Sequence, residues 1–166
     1  MANFRKKYDD PVQYHISLKL PTYIDDVNLA KLKKITNETA KTSNSFAVDF
    51  DKYFFNKTST GNLIMISARH NNNLINLQKE IVKRTKGFGK TIKPYYEDFE
   101  NNFKPHITIA RKLDDEDFLE AKSKIEKQIH CRANIDKLRL HIMKRTNGVD
   151  KFQDESSLYY KLIRRS

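Results

Sequence analysis

The 166-residue chain is 38% hydrophobic and 11% aromatic, enough apolar material for one folded domain and too much for a disordered tail. Its formal charge of +11 suits a phosphate-bearing substrate or ligand, which a basic surface steers and which releases counterions on binding. One cysteine, Cys131, excludes an internal disulfide and a cysteine-based zinc site; no apolar run approaches the ~18 residues of a membrane span, and "MANFRKKYDD" lacks a signal peptide's apolar stretch, so a cytoplasmic protein away from membranes is expected.

"QYHISLKL" (13–20) alternates and is predicted to be a strand ending at Pro21. Asp25 and Asp26 offer a cap and a first-turn acid for a helix whose apolar stripe is Val27, Leu29, Leu32 and Ile35. "FAVDFDKYFFN" (46–56) and "NLIMISAR" (62–69) read as strands joined in a hairpin around 58–61. Leu74, Leu77, Ile81 and Val82 mark a second helix over 73–85, stopped near Gly87. "GFGKT" (87–91) ends like a phosphate-binding loop, but Arg84 stands where the first glycine belongs and the segment follows a helix instead of opening one. Then come a strand at 105–113, an acid-started helix at 114–129, and strands at 135–143 and 157–165. No Pro/Gly/Ser-rich linker interrupts this order, so one domain over 1–166 is expected, with structural halves of about 1–90 and 91–166.

The two halves align without a gap at an offset of 91 residues. His15 falls on His106, Ile16 on Ile107, Ser17 on Thr108 and Leu18 on Ile109; Asp26, Val27 and Ala30 fall on Asp117, Phe118 and Ala121. Residues two apart on a strand share a face, roughly 6–7 Å from one another. Each copy therefore offers an imidazole and a hydroxyl on one face, while Tyr14, Ile16, Leu18, Ile107 and Ile109 are expected to enter the core on the other.

Two histidines and two hydroxyls suit in-line displacement at a phosphodiester. One imidazole removes the proton from attacking water and one imidazolium protonates the departing ribose oxygen, both states being populated near a pKa of ~6.5. At about 10²–10⁴ per group, the pair lowers the barrier by roughly 5–11 kcal/mol. The hydroxyls hold the non-bridging oxygens as charge builds on them. His70, His130 and His141 lack a hydroxyl two places on; His141 shares a strand face with Arg139 and has a weak claim to a phosphate contact.

"HISL" (15–18) and "HITI" (106–109), the latter within "KPHITIAR", resemble the paired H-x-[ST]-x motifs of the 2H phosphoesterases, in particular their 2′-5′ RNA ligase-like branch. The resemblance covers most of the chain. It implies a bilobal α+β fold of pseudo-twofold duplication, with two antiparallel-rich sheets lining a central cleft and helices packed outside. It also implies chemistry on 2′,3′-cyclic phosphates or 2′-5′ linkages of nucleotides or RNA, with no cofactor or metal; the chain is expected to be a monomer. Carried over by motif position, His15 and His106 are the acid/base pair, and Ser17 and Thr108 the phosphate-binding hydroxyls. Arg111 matches a basic residue after the second motif, although strict alternation points it away from His106; a cleft position requires a twist or bulge. Lys19 has the right parity for a phosphate contact, and Tyr95, Tyr96 and Phe103 offer faces for base stacking, although Phe103 also fits a core position. Two alternatives stand beside this reading: a hydrolase of cyclic oligonucleotide signals, and an RNA-binding module that turns nothing over.

Overall fold

The computed structural model describes residues 14–58, 61–125, 128–146 and 149–164. The described elements run β1 (Thr22–Tyr23), α1 (Asp26–Thr42), β2 (Phe46–Thr58), β3 (Gly61–Ala68), α2 (Asn72–Arg84), β4 (Lys90–Thr91), α3 (Tyr95–Asn101), β5 (His106–Leu113), α4 (Asp115–Lys124), β6 (Gln128–Ile135), β7 (Lys137–Thr146) and β8 (Val149–Lys161). This is the expected α+β class with antiparallel sheets. A four-stranded sheet of order β5-β3-β2-β6 carries most of the fold, and β7–β8 and β1–β4 form two-stranded ribbons.

Helices α1, α2 and α4 begin where their caps place them. Asp25 accepts from the Asn28 amide at 2.7 Å, Asn71 from Leu74 at 3.0 Å and Asp114 from Asp117 at 2.8 Å, each satisfying a first-turn donor that the helix itself leaves unpaired. On α2, Leu74, Leu77 and Ile81 recur at helical spacing and are buried. The β2–β3 hairpin closes with Thr58 opposite Gly61, as its sequence predicted.

Two apolar layers sit on one face of the main sheet. Ile64, Ala110 and Leu113 pack with Phe118 and Ala121 of α4, and Val48, Phe50 and Ile66 pack with Leu74 of α2. Burying the valine, leucine, isoleucine and phenylalanine side chains among them contributes about 1.5–3 kcal/mol each. A third layer joins Ala40, Leu77 and Ile81 of the helices to Leu138 and Leu162.

Several expectations are corrected. Segment 14–20 is not a strand; it keeps a single antiparallel bridge, Ile16 to Ile107, before the chain bends at Leu18 and Lys19. The helix expected to reach residue 129 stops at Lys124, because Ile129, Ala133 and Ile135 are spent on one face of β6 against β2, where they meet the Val48–Phe50 layer. The last strand begins at Val149 and ends at Lys161, with Ile163 in a parallel bridge to Asn44. Residue 13 of the first expected strand, 126–127 of the expected helix and 165 of the last strand lie outside the described residues. The internal match also fails beyond the motifs: Val27 is 65% exposed whereas Phe118 is 3% exposed, so the two helices bury different faces. The "GFGKT" segment folds into the β1–β4 ribbon, where Gly89 allows the Tyr23 carbonyl to approach within 2.0 Å of the position a Cβ would take.

Candidate functional site

The Ile16–Ile107 bridge brings the two motifs together. Both isoleucines turn into the layer of Val48, Phe50 and Ile66, which puts their flanking residues on the other face. Continued one residue each way, the antiparallel register sets Ser17 opposite His106 and His15 opposite Thr108. Such a pair has a local twofold axis at the bridge, and that axis carries His15 onto His106 and Ser17 onto Thr108. Ile107 follows Ile16 by 91 residues, so the sequence offset and the local symmetry are one relation. His15 and His106 are then diagonal neighbours, with backbones roughly 7–8 Å apart, a gap that fits a phosphate between two imidazoles. His15 and Tyr14 are exposed, Tyr14 at 48% and therefore outside the core expected of it, while Ser17, His106 and Thr108 are half-buried.

His106 opens β5, paired with Ser67 of β3, as Thr108 is with Met65. Its Nδ1 lies 2.9 Å from the Lys104 carbonyl oxygen, which can only accept, so Nδ1 carries a proton and Nε2 is the ring nitrogen left to face a ligand. Phe54 and Phe99 meet the ring edge-on at centroid distances of 5.9 and 6.4 Å. Carbonyl and aromatic edges together fix the imidazole's orientation. Neither phenylalanine carries a motif signal; Phe54 is recognisable only from the hairpin register that sets it opposite Met65.

Arg111 reaches the motif face through a bulge. Thr108 pairs with Met65 but Ala110 with Ile64, so Ile109 is an extra residue on β5. Ile107, Ile109 and Ala110 all meet the apolar layers, and Arg111 emerges, exposed, on the side of His106 and Thr108. The other secondary candidates are placed differently. Lys19 donates to Glu100 at 2.6 Å in a pair whose side chains are 21% and 10% exposed, so its charge is already matched. Phe103 packs against Phe99 at 5.9 Å and against the Val48–Phe50 layer, the core position its sequence also allowed, and stays half-buried. Tyr95 and Tyr96 sit on α3, ring to ring at 5.1 Å, with Lys93 over Tyr95 at 5.6 Å.

The family model of the 2′-5′ RNA ligase superfamily matches residues 2–149. The chain belongs to that superfamily. Membership places its chemistry, in general terms, with phosphodiester bonds. Solved structures agree on the fold. E. coli LigT in apo form superposes with a TM-score of 0.61 at 15% identity, covering 98% of this chain and 88% of that one. LigT complexed with 3′-AMP gives 0.60 at 14% identity, covering 97% and 87%. TT0787 of Thermus thermophilus gives 0.59 at 12%, covering 93% and 78%. No curated protein matches.

This superfamily member carries a third histidine beside the paired motif. Leu18 packs in the layer of Leu138 and Leu162, so the segment bearing His15 and Ser17 lies along β7–β8. On that ribbon Leu138 is buried and Arg139 and His141 take the other face, opposite Tyr159 and Ser157. Partial burial, then the charges of Arg139 and His15, hold His141 below the usual histidine range.

Proposed function

We propose that the chain is a phosphodiesterase acting on 2′,3′-cyclic phosphates or 2′-5′ linkages of nucleotides or RNA ends, with His15 and His106 as the acid/base pair. The observation that supports this best is the antiparallel bridge between Ile16 and Ile107, which sets two imidazoles and two hydroxyls on one face across a local twofold. A phosphate in that gap meets an imidazole on each side. One takes a proton from water as its oxygen attacks phosphorus; the other gives a proton to the ribose oxygen as its bond to phosphorus breaks, leaving a 2′-phosphate when the 3′ oxygen departs. Ser17 and Thr108 donate to the non-bridging oxygens and Arg111 balances their charge. The two proton transfers are supplied by histidines, so the scheme calls for no metal. We place the enzyme in the cytoplasm as a monomer.

The test is incubation, with EDTA present, with 2′,3′-cyclic nucleotides, a cyclic-phosphate RNA end, 2′-5′ oligoadenylate and cyclic dinucleotides. Turnover of one class that falls by about 10²–10⁴ in both His15→Ala and His106→Ala is the expected result. Full activity in either variant would sink the paired-histidine mechanism. Absence of turnover together with steeply salt-dependent RNA binding that survives His15→Ala would replace it with a binding module.

A further inference from the structure

The exposed face of β7–β8 has a composition that the chemistry of the paired histidines does not use. Along β7, Lys137, Arg139 and His141 stand opposite Lys161, Tyr159 and Ser157 of β8, while the alternate residues, Leu138 and Tyr160 among them, turn to the helices. Arg139 is the centre of this face. Its Nε and Nη2 donate to Ser157 Oγ at 3.1 and 2.8 Å, its Nη2 also meets His141 Nδ1 at 3.3 Å, and its guanidinium lies 5.6 Å from the centre of the Tyr159 ring.

The donor balance fixes the protons. A guanidinium has only donors, so Ser157 Oγ accepts from it and sends its own proton to His141 Nδ1 at 2.9 Å. His141 is then neutral with its proton on Nε2, in keeping with its lowered pKa. The guanidinium is thereby pinned at one edge by a hydroxyl, an imidazole and an aromatic ring. Among the described residues no carboxylate pairs with Arg139, and neither proton of Nη1 has an acceptor. By contrast Arg69 faces Asp51 at 3.3 Å, and Arg84 is paired with Glu38. A held guanidinium with no carboxylate partner among the described residues is an anion receptor.

Its position relative to the paired motif selects the anion. Leu18, two residues after Ile16, packs in the same layer as Leu138, the residue before Arg139. The charge on His15 also opposes charging of His141.

We infer that Arg139, held by Ser157 and His141, forms a second phosphate subsite beside the His15/His106 gap, and that the substrate carries another phosphate next to the scissile one: a nucleic-acid end or a 5′-phosphorylated nucleotide. This rests on the phosphodiesterase reading for the location of the scissile phosphate, but its test does not depend on turnover. By titration calorimetry, adenosine 2′,5′-bisphosphate binds at least tenfold more tightly than adenosine 2′-monophosphate. Arg139→Gln brings that ratio within threefold, and Arg139→Lys, which keeps the charge but not the fork, leaves it in between. Thermal unfolding of both variants is recorded alongside to show that they fold. Equal affinity of the wild type for the two ligands, no binding of either, or a ratio unchanged in Arg139→Gln overturns the subsite. Loss of turnover on the cyclic-phosphate panel with the binding ratio intact instead overturns the catalytic reading and leaves the subsite standing.

Discussion

Ala110, and not Ile109, stands opposite Ile64. One inserted residue therefore turns Ala110 inward and lets Arg111 emerge on the motif face, before a second register shift ahead of Leu113 turns the strand again. If the guanidinium balances a phosphate there, Arg111→Gln removes a charge-assisted hydrogen bond of about 1.5–3 kcal/mol. The expected outcome is a roughly 10- to 100-fold loss in kcat/KM with the unfolding midpoint in urea kept within error. Wild-type kinetics from Arg111→Gln would show that the bulge aims the side chain at nothing the reaction uses.

The bulged end of β5 depends on Gly61. Its φ is +116°, and a Cβ there would lie 2.7 Å from the Lys112 Cα, where the backbone is itself at φ +58°. Gly61→Ala combines a left-handed strain with a backbone clash, and is expected to cost ~2 kcal/mol or more. Gly87 makes a control: its φ is +79° but nothing lies within 4 Å of an added Cβ, so Gly87→Ala carries only the conformational penalty of ~1 kcal/mol. Urea titrations that rank the two the other way would contradict the packing described for the hairpin.

Lys19 tests whether parity or pairing decides a residue's task. The Lys19–Glu100 pair is mostly buried, and Gln78 Nε2 donates to the Glu100 carbonyl at 3.1 Å, tying α3 to α2 next to the motif segment. Removing one partner strands the other's charge, so Lys19→Met and Glu100→Gln should each destabilise, with a coupling of about 1–3 kcal/mol in a double-mutant cycle. A phosphate-binding Lys19 would give the opposite pattern, a raised KM at unchanged stability.

The meeting of His15, Ser17, His106 and Thr108 on one face was legible because the two motifs repeat one local pattern, and the repeat survives without any knowledge of the fold. The α+β order, the cap at Asp25 and the acidic start of the helix near Asp114 were legible for the same reason: each depends on neighbours in sequence. Three features were not. Segment 14–20 has a strand's alternation but only one bridge, because pairing depends on what lies beside it. Ile125 and Ile129 stand at helical spacing, which hid the period-two face that Ile129 begins in β6. Phe54 and Phe99 reach His106 from two different elements, a contact that no local window contains. The bulge at Ile109 belongs to this class too: periodicity gave Arg111 the wrong face, and only the register with β3 corrects it.

His141 supplies a pH dependence whose sign follows from its surroundings. Burial, Arg139 and His15 hold its pKa below the ordinary 6.5, so as pH falls through that value the unfolded chain takes up a proton that the folded chain refuses. Its contribution to stability is thus lost towards acid, beginning near pH 6.5 and ending below the folded pKa. Asn at this position keeps an acceptor for Arg139 and Ser157 but cannot titrate. Thermal midpoints of wild type and His141→Asn, measured from about pH 7.5 to 5, should converge or cross as pH falls, the wild type losing more. Inorganic phosphate should blunt the wild-type loss, because an anion held by Arg139 screens the charge that opposes protonation of His141. Parallel midpoint curves would mean that His141 ionises in the folded protein as freely as in the unfolded chain. Insensitivity to phosphate would separate that histidine from any anion beside it.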